Sequence, residues 1–383
     1  MGRFLTAAFT FALLLPLAAI PAHAQSPAGP ISAKSGVQVQ LAPKDTQAKV
    51  KVQVALVNTP VTVRDGHGDM VHNLEARDFQ ITDNGVAQQI SHFDLGGDPL
   101  TMVILVETSS RIGPLLPQVR KTGILFTQTV MGPTGEAAVV GFNDALDKLQ
   151  DFTANGDLIE NTIAHVGPGT SGSKLYDAMA VGVEMLQSRP QAADKPGRRR
   201  VLMILSEATD VGSEAKLGEV LRQAQLANVT IYSIGLSTTR AELQAKPKDT
   251  RPKITPPGTF PLPPEPGTPQ TPTSEENRYG NIDLMAAAVW VVEHIHDQVK
   301  DHALEVAATA TGGAHLATFK DRSIEKAIDE IGGELHSQYT ISYTPTGSDA
   351  TGYHEIKVNV VRNDAKNLKV RARPGYYLAS PES

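Results

Sequence analysis

From Leu100 onward the chain alternates short apolar runs with amphipathic stretches, and this rhythm restricts its possible folds more than any other feature. Met102–Val106, Ala137–Phe142, Val201–Leu205, Val229–Leu236 and Ala314–Thr318 are brief and almost wholly apolar. Leu115–Val130, Lys174–Gln187, Ala215–Ala227, Ile282–Ala310 and Ser323–His336 carry apolar residues at helical spacing between them. A strand with no polar face must be covered on both sides, which a parallel sheet under crossover helices provides. The expected core is therefore a doubly wound, mostly parallel, Rossmann-like α/β domain over residues 98–336.

Both flanks have a different period. "KVQVALVNTPVTVRD" alternates apolar and polar residues, and Asp83-Asn84-Gly85 separates two short strand candidates with strong hairpin chemistry. After the last helix, "SQYTISYTP", "HEIKVNVV" and "LKVRARPGYY" alternate in the same way. Neither set has enough strands to bury a face alone. Segment 48–97 is thus expected to pair with segment 337–379 in a small β-sandwich-like domain, with the α/β domain as its insert. Within that insert, residues 247–276 are too rich in proline to supply helix or ladder donors and read as an extended excursion.

Arg3, an apolar stretch and Ala22-His23-Ala24 have the form of a secretory signal peptide over residues 1–24. Residues 25–47, small and polar, read as a flexible tether. The expected location is periplasmic or extracellular, with no transmembrane segment after cleavage. The chain has 383 residues and no cysteine, so an exported fold must hold without disulfides. A formal charge of -6 and scattered basic residues, apart from Arg198 to Arg200, leave no electrostatic footprint for nucleic acid.

The run "TMVILVETSSRIG" raises the functional question, because a buried-looking strand ends in Glu107, Ser109 and Arg111. In open α/β sheets, ligands bind beyond the carboxyl ends of the strands. "GPGTSGSKLYDAM", with Thr170 and Ser173 ahead of a helix, and "VLMILSEATD", with Glu207 after a strand, share that address. This order of motifs resembles a von Willebrand factor A (VWA) domain. The flanking "VRDGHGDMVHNLEARDFQITDNG" and "QYTISYTP…HEIKVNVV…VRARPGYY" resemble the VWFA-related family described from acidobacteria, and together the matches cover roughly residues 50–378. The resemblance implies the A-type fold, a metal-ion-dependent adhesion site and a role in binding.

Against the family pattern of Asp-x-Ser-x-Ser, a Thr and a loop Asp, this chain has Glu107, Ser109, Arg111, Ser173 and Glu207, with Thr170 near the Thr position. Three readings follow, the last of them a surface Arg111 with no specific partner. Glu107, Ser109, Ser173 and Glu207 retain a degenerate site for Mg2+ or Mn2+, or Arg111 substitutes for the ion and forms a salt-bridge cluster with Glu107 and Glu207, Thr170 alongside. No cofactor is expected under the second reading.

Other chemistry is poorly supported. His294 and His296 point about 200° apart on a helix and cannot share a metal at that spacing. Gly-x-Ser-x-Gly follows no strand, thiol chemistry is excluded, and "GPGTSGSK" departs from the phosphate-loop spacing. The chain is therefore read as a non-enzymatic, exported module that binds a protein or cell-surface component. The alternative is an envelope assembly component in which the A-type fold is a metal-free scaffold. Oligomeric state is not legible in the sequence.

Overall fold

The computed structural model describes residues 56–189, 198–236, 302–318, 323–347, 352–362 and 367–378, together with Val289. The expected signal peptide, tether, proline-rich excursion and the histidines of the 290s lie outside the described residues.

Six strands form the central sheet in the order β10-β9-β8-β5-β6-β7. These are β5 (Leu100–Glu107), β6 (Glu136–Phe142), β7 (Leu146–Thr153), β8 (Arg199–Ser206), β9 (Val229–Leu236) and β10 (His315–Thr318). All neighbours pair in parallel except β7, which returns antiparallel to β6 at the edge. Every residue of β5 is buried, as the apolar run requires. Its side chains alternate between two cores: Val103 and Leu105 join α4 (Leu175–Ser188), α5 (Leu217–Leu226) and α6 (Ala303–Thr311) on one face. Met102, Ile104 and Val106 meet α3 (Gly156–Ala164), α7 (Ile324–Ser337) and the segment Ser110–Met131 on the other. The result is a doubly wound α/β unit.

Two local readings need correction. The helix expected over Leu115–Val130 is a chain of fragments: a 3-10 stretch, α1 (Leu116–Val119), another 3-10 turn, α2 (Gly123–Leu125) and a π-turn over Phe126–Met131. Pro114 and Pro117 supply no N–H, and Gly123 approaches the Glu160 backbone so closely that a Cβ would lie 2.9 Å from Glu160 Cα. Strand β7 and helix α3 are additional to the elements read from the sequence. β7 is only half-buried to exposed, so it carries no continuous apolar run, and α3 has nine residues, with the Asn155 side chain capping the Asp157 amide.

The flanking segments build two four-stranded antiparallel sheets, in the orders β13-β1-β11-β4 and β14-β12-β2-β3. The strands are β1 (Val57–Arg64), β2 (Phe79–Asp83), β3 (Val86–Gln88), β4 (Ile90–Leu95), β11 (Tyr339–Tyr343), β12 (Gly352–Val360), β13 (Lys369–Ala372) and β14 (Gly375–Leu378). Both sheets mix strands from the two ends of the chain: Thr59 pairs with Ile341 and Ile81 with Val358. Asn84 and Gly85, both at positive φ, make the expected tight hairpin between β2 and β3. Phe79, Ile81, Tyr339, Ile341, Tyr343 and Tyr376 belong to the core between these sheets.

The basic triplet lies around the amino end of the central sheet and is consumed there. Arg198 donates to the carbonyls of Leu100 and Thr134, Arg199 to that of Leu335, and Arg200 to that of Ala227.

Candidate functional site: a carboxylate cleft closed by Arg111

The chain runs from β5 to β6 and β7 on one side, then crosses back to β8 on the other side of β5. That reversal opens a crevice at the carboxyl ends of β5 and β8, where Glu107 and Glu207 sit.

Glu107 is fully buried. Its Oε1 accepts from Ser109 Oγ at 2.5 Å, and its Oε2 accepts from Ser206 Oγ and from the Glu207 amide, both at 2.8 Å. Arg111 approaches from the loop after β5. Its Nη2 is 3.6 Å from Glu107 Oε1 and its Nε is 3.6 Å from Glu207 Oε2, and the side chain is 32% exposed. Both contacts are at ion-pair rather than hydrogen-bond distance. The guanidinium thus bridges two carboxyl groups brought together by strands 100 residues apart in sequence.

Ser173 immediately precedes the N-cap residue of α4, and its backbone pairs with Val211 across an isolated bridge. The Ser173 hydroxyl is buried and makes no hydrogen bond among the described residues. Thr170 takes a different place from the one expected. Its hydroxyl donates to Asn143 Oδ1 at 2.8 Å, and its carbonyl accepts from the Ser110 amide at 2.8 Å, so it braces the loop after β5 and does not join the Glu107–Arg111–Glu207 group. Gly172 allows this bracing. Its amide donates to Asp144 Oδ2 at 3.2 Å, and a Cβ there would lie 1.6 Å from Asp144 Oδ1.

Ser206, Asn143 and Asp144 were not singled out in the sequence. The rule that selected Glu107, a polar residue at the carboxyl end of a parallel strand, applies equally to Ser206 ending β8 and to Asn143 just past β6.

Burial pushes the Glu207 carboxyl above its usual range, the Glu107 charge adds to this, and Arg111 opposes it. The folded state therefore holds the Glu207 proton more tightly than the unfolded chain. The corresponding stability is present at pH values below the ordinary carboxyl range and is lost as pH rises through the raised value. Glu207→Gln should remove that loss. Urea denaturation of both proteins between about pH 4 and 7 should show the stability difference moving toward the variant as pH rises, and a pH-independent difference would contradict this account.

No family model matches the sequence, and no curated protein matches it. Solved structures do. One is an aerotolerance-related membrane protein from Bacteroides fragilis with multiple mutations to serine: identity 11%, coverage 62% of this chain and 98% of that chain, TM-score 0.37. A second is BatB from Bacteroides thetaiotaomicron, described as a conserved hypothetical protein, at 13% identity with coverages of 62% and 98% and a TM-score of 0.36. A third is the SpRpn10 VWA domain, at 14% identity with coverages of 37% and 77% and a TM-score of 0.28.

The α/β unit has a six-stranded, mostly parallel sheet flanked by helices. Its parallel strands, antiparallel edge strand and polar crevice at the carboxyl ends agree with the motif order that gave the sequence resemblance. Glu107 floors the carboxyl end of this sheet and Arg111 lies over it, with Val211 exposed.

Proposed function

We propose that this chain is an exported protein-binding module whose VWA-like cleft works without a divalent cation, Arg111 supplying the positive charge. The observation that carries the reading is the Arg111 guanidinium, 3.6 Å from Glu107 on one side and 3.6 Å from Glu207 on the other.

Magnesium requires near-octahedral oxygen ligands at about 2.0–2.1 Å. Each Glu107 oxygen already accepts at least one hydrogen bond, and a cation in the crevice would face a fixed guanidinium. On this reading the guanidinium takes the ion's place, while Ser173 Oγ and Glu207 Oε2 stay buried without hydrogen-bond partners. With the charge internal, recognition falls to the loops around the crevice. Arg111 keeps about a third of its side chain exposed, enough to offer remaining donors to an acidic group on a partner. An envelope or surface protein is the partner class that an exported module would meet.

Calorimetric titration of the purified chain with Mg2+ or Mn2+ should give no saturable heat. The triple variant Glu107→Asp, Arg111→Ser, Glu207→Asp should gain affinity by at least about tenfold, a change of about 1.4 kcal/mol. Micromolar binding by the unmodified chain that disappears in Glu107→Ala would defeat the reading. Capture of a partner from envelope extracts should be insensitive to chelator and lost in Arg111→Glu, and chelator-sensitive capture would point instead to a working metal site.

A further inference from the structure

The β module contains a second buried guanidinium, distant in sequence from the crevice. Arg373 lies in the turn between β13 and β14 and is 4% exposed. Its Nη1 donates to Asn228 Oδ1 at 3.3 Å, a side chain in the positive-φ turn between α5 and β9. The guanidinium carbon lies 5.5 Å from the centre of the Tyr376 ring. Nε and Nη2 are buried and have no hydrogen-bond acceptor. Burial lowers the Arg373 pKa to about 10, which leaves it charged at neutral pH.

A charged fork removed from water with two idle donors is among the least tolerated arrangements in a folded protein. The neighbouring acid supplies no acceptor for it. Asp83 Oδ1 is bonded to His354 Nδ1 at 2.8 Å, while Oδ2 accepts from Tyr343 at 3.0 Å and Tyr376 at 2.6 Å. Asp83 offsets part of the charge through space but leaves the Nε and Nη2 hydrogens unmatched.

We propose that Arg373 Nε and Nη2 bind a small monovalent anion of the halide class, enclosed where the β module meets the α5–β9 turn. Burial favours an anion with no bulk beyond the donors' reach, and the adjacent Asp83 disfavours a second negative charge. The backbone packs tightly at this turn: a Cβ on Gly312 would lie 2.9 Å from Arg373 N. An anion held there would join the turn before β14 to the α/β unit. It would stabilise the folded chain by binding the native state alone.

Two measurements on the full chain test this. Crystals soaked in sodium bromide should show anomalous density within hydrogen-bonding reach of Arg373 Nε and Nη2. Thermal unfolding in sodium chloride against sodium gluconate, at equal ionic strength, should show a saturable rise in Tm of about 2–4 °C with chloride. Arg373→Met should abolish that rise, and if the variant does not fold, the bromide measurement on the unaltered chain decides. Density without anomalous signal, meaning an ordered water, overturns the assignment, and so does an equal Tm in the two salts.

Discussion

Glu107→Ala should destabilise the chain by about 3–5 kcal/mol, measured by urea denaturation, far more than a typical substitution. The side chain has no exposure and its two oxygens serve Ser109, Ser206, the Glu207 amide and Arg111. Alanine would leave two buried hydroxyls and a backbone amide without their acceptor, and Arg111 with Glu207 alone. Arg111→Met should cost less, about 1 kcal/mol, because the side chain is a third exposed and its buried Nε and Nη2 make only ion pairs at 3.6 Å, with no hydrogen bond to lose. This order, a large effect for the floor and a small one for the closing arginine, separates folding from recognition. Arg111→Met should leave a folded protein that has lost partner capture, whereas Glu107→Ala weakens the whole end of the sheet. Equal losses of stability in the two variants would mean that Arg111 is a structural ion and not the exposed element of a binding surface.

The parts of this molecule legible in the sequence are those in which one physical demand acts on consecutive residues. β5 and β8 carry unbroken apolar runs, Met102–Val106 and Val201–Leu205, because both faces are covered there, and the hairpin at Asn84-Gly85 had to use residues that tolerate positive φ. The joining of the two chain ends followed from strand number, since neither end could cover a sheet alone. β7 escaped because an edge strand with an exposed face is under no such demand, and its sequence "LDKLQDFT" has no continuous apolar run. Leu115–Val130 is wound as fragments and not as the expected helix, because apolar periodicity reports which residues face the core and not how the backbone between them is wound. The two prolines and Gly123 carry that second signal.

At the crevice, the sequence supplied the residue types and the address but not the orientation of side chains. Glu107, Ser109, Arg111 and Glu207 converge because strand ends in a parallel sheet converge. Thr170 shares the address yet faces Asn143, a choice made by one loop conformation that no residue pattern encodes. Ser206 is the reverse case. It lies next to Glu207 in the sequence, and the fold alone carries its hydroxyl to Glu107.

Asp83→Ala should have an effect as large in the β module, again about 3–5 kcal/mol. Asp83 ends β2, and its three side-chain partners come from the other end of the chain: Tyr343 on β11, His354 on β12 and Tyr376 on β14. Tyr343 belongs to one sheet and the other partners to the second, so one carboxyl group connects both layers. Burial and the bond to Asp83 push both phenol pKa values upward, so the hydroxyls remain protonated and act as donors throughout the accessible pH range. With alanine in place, two buried phenols and an imidazole lose their acceptor, and the through-space compensation of Arg373 is lost with them. Asp83→Asn should cost less, since an amide oxygen in the place of Oδ2 still accepts from both phenols and only the contact with His354 Nδ1 meets the NH2. Because the module is assembled from both ends of the chain, the loss should appear first as exchange of backbone amides in β1, β2, β11 and β12, with the central sheet protected longer. Simultaneous loss of protection in β5 and β8 would show that the two parts unfold as one, and that the β module is as much a part of the α/β unit's stability as its own helices.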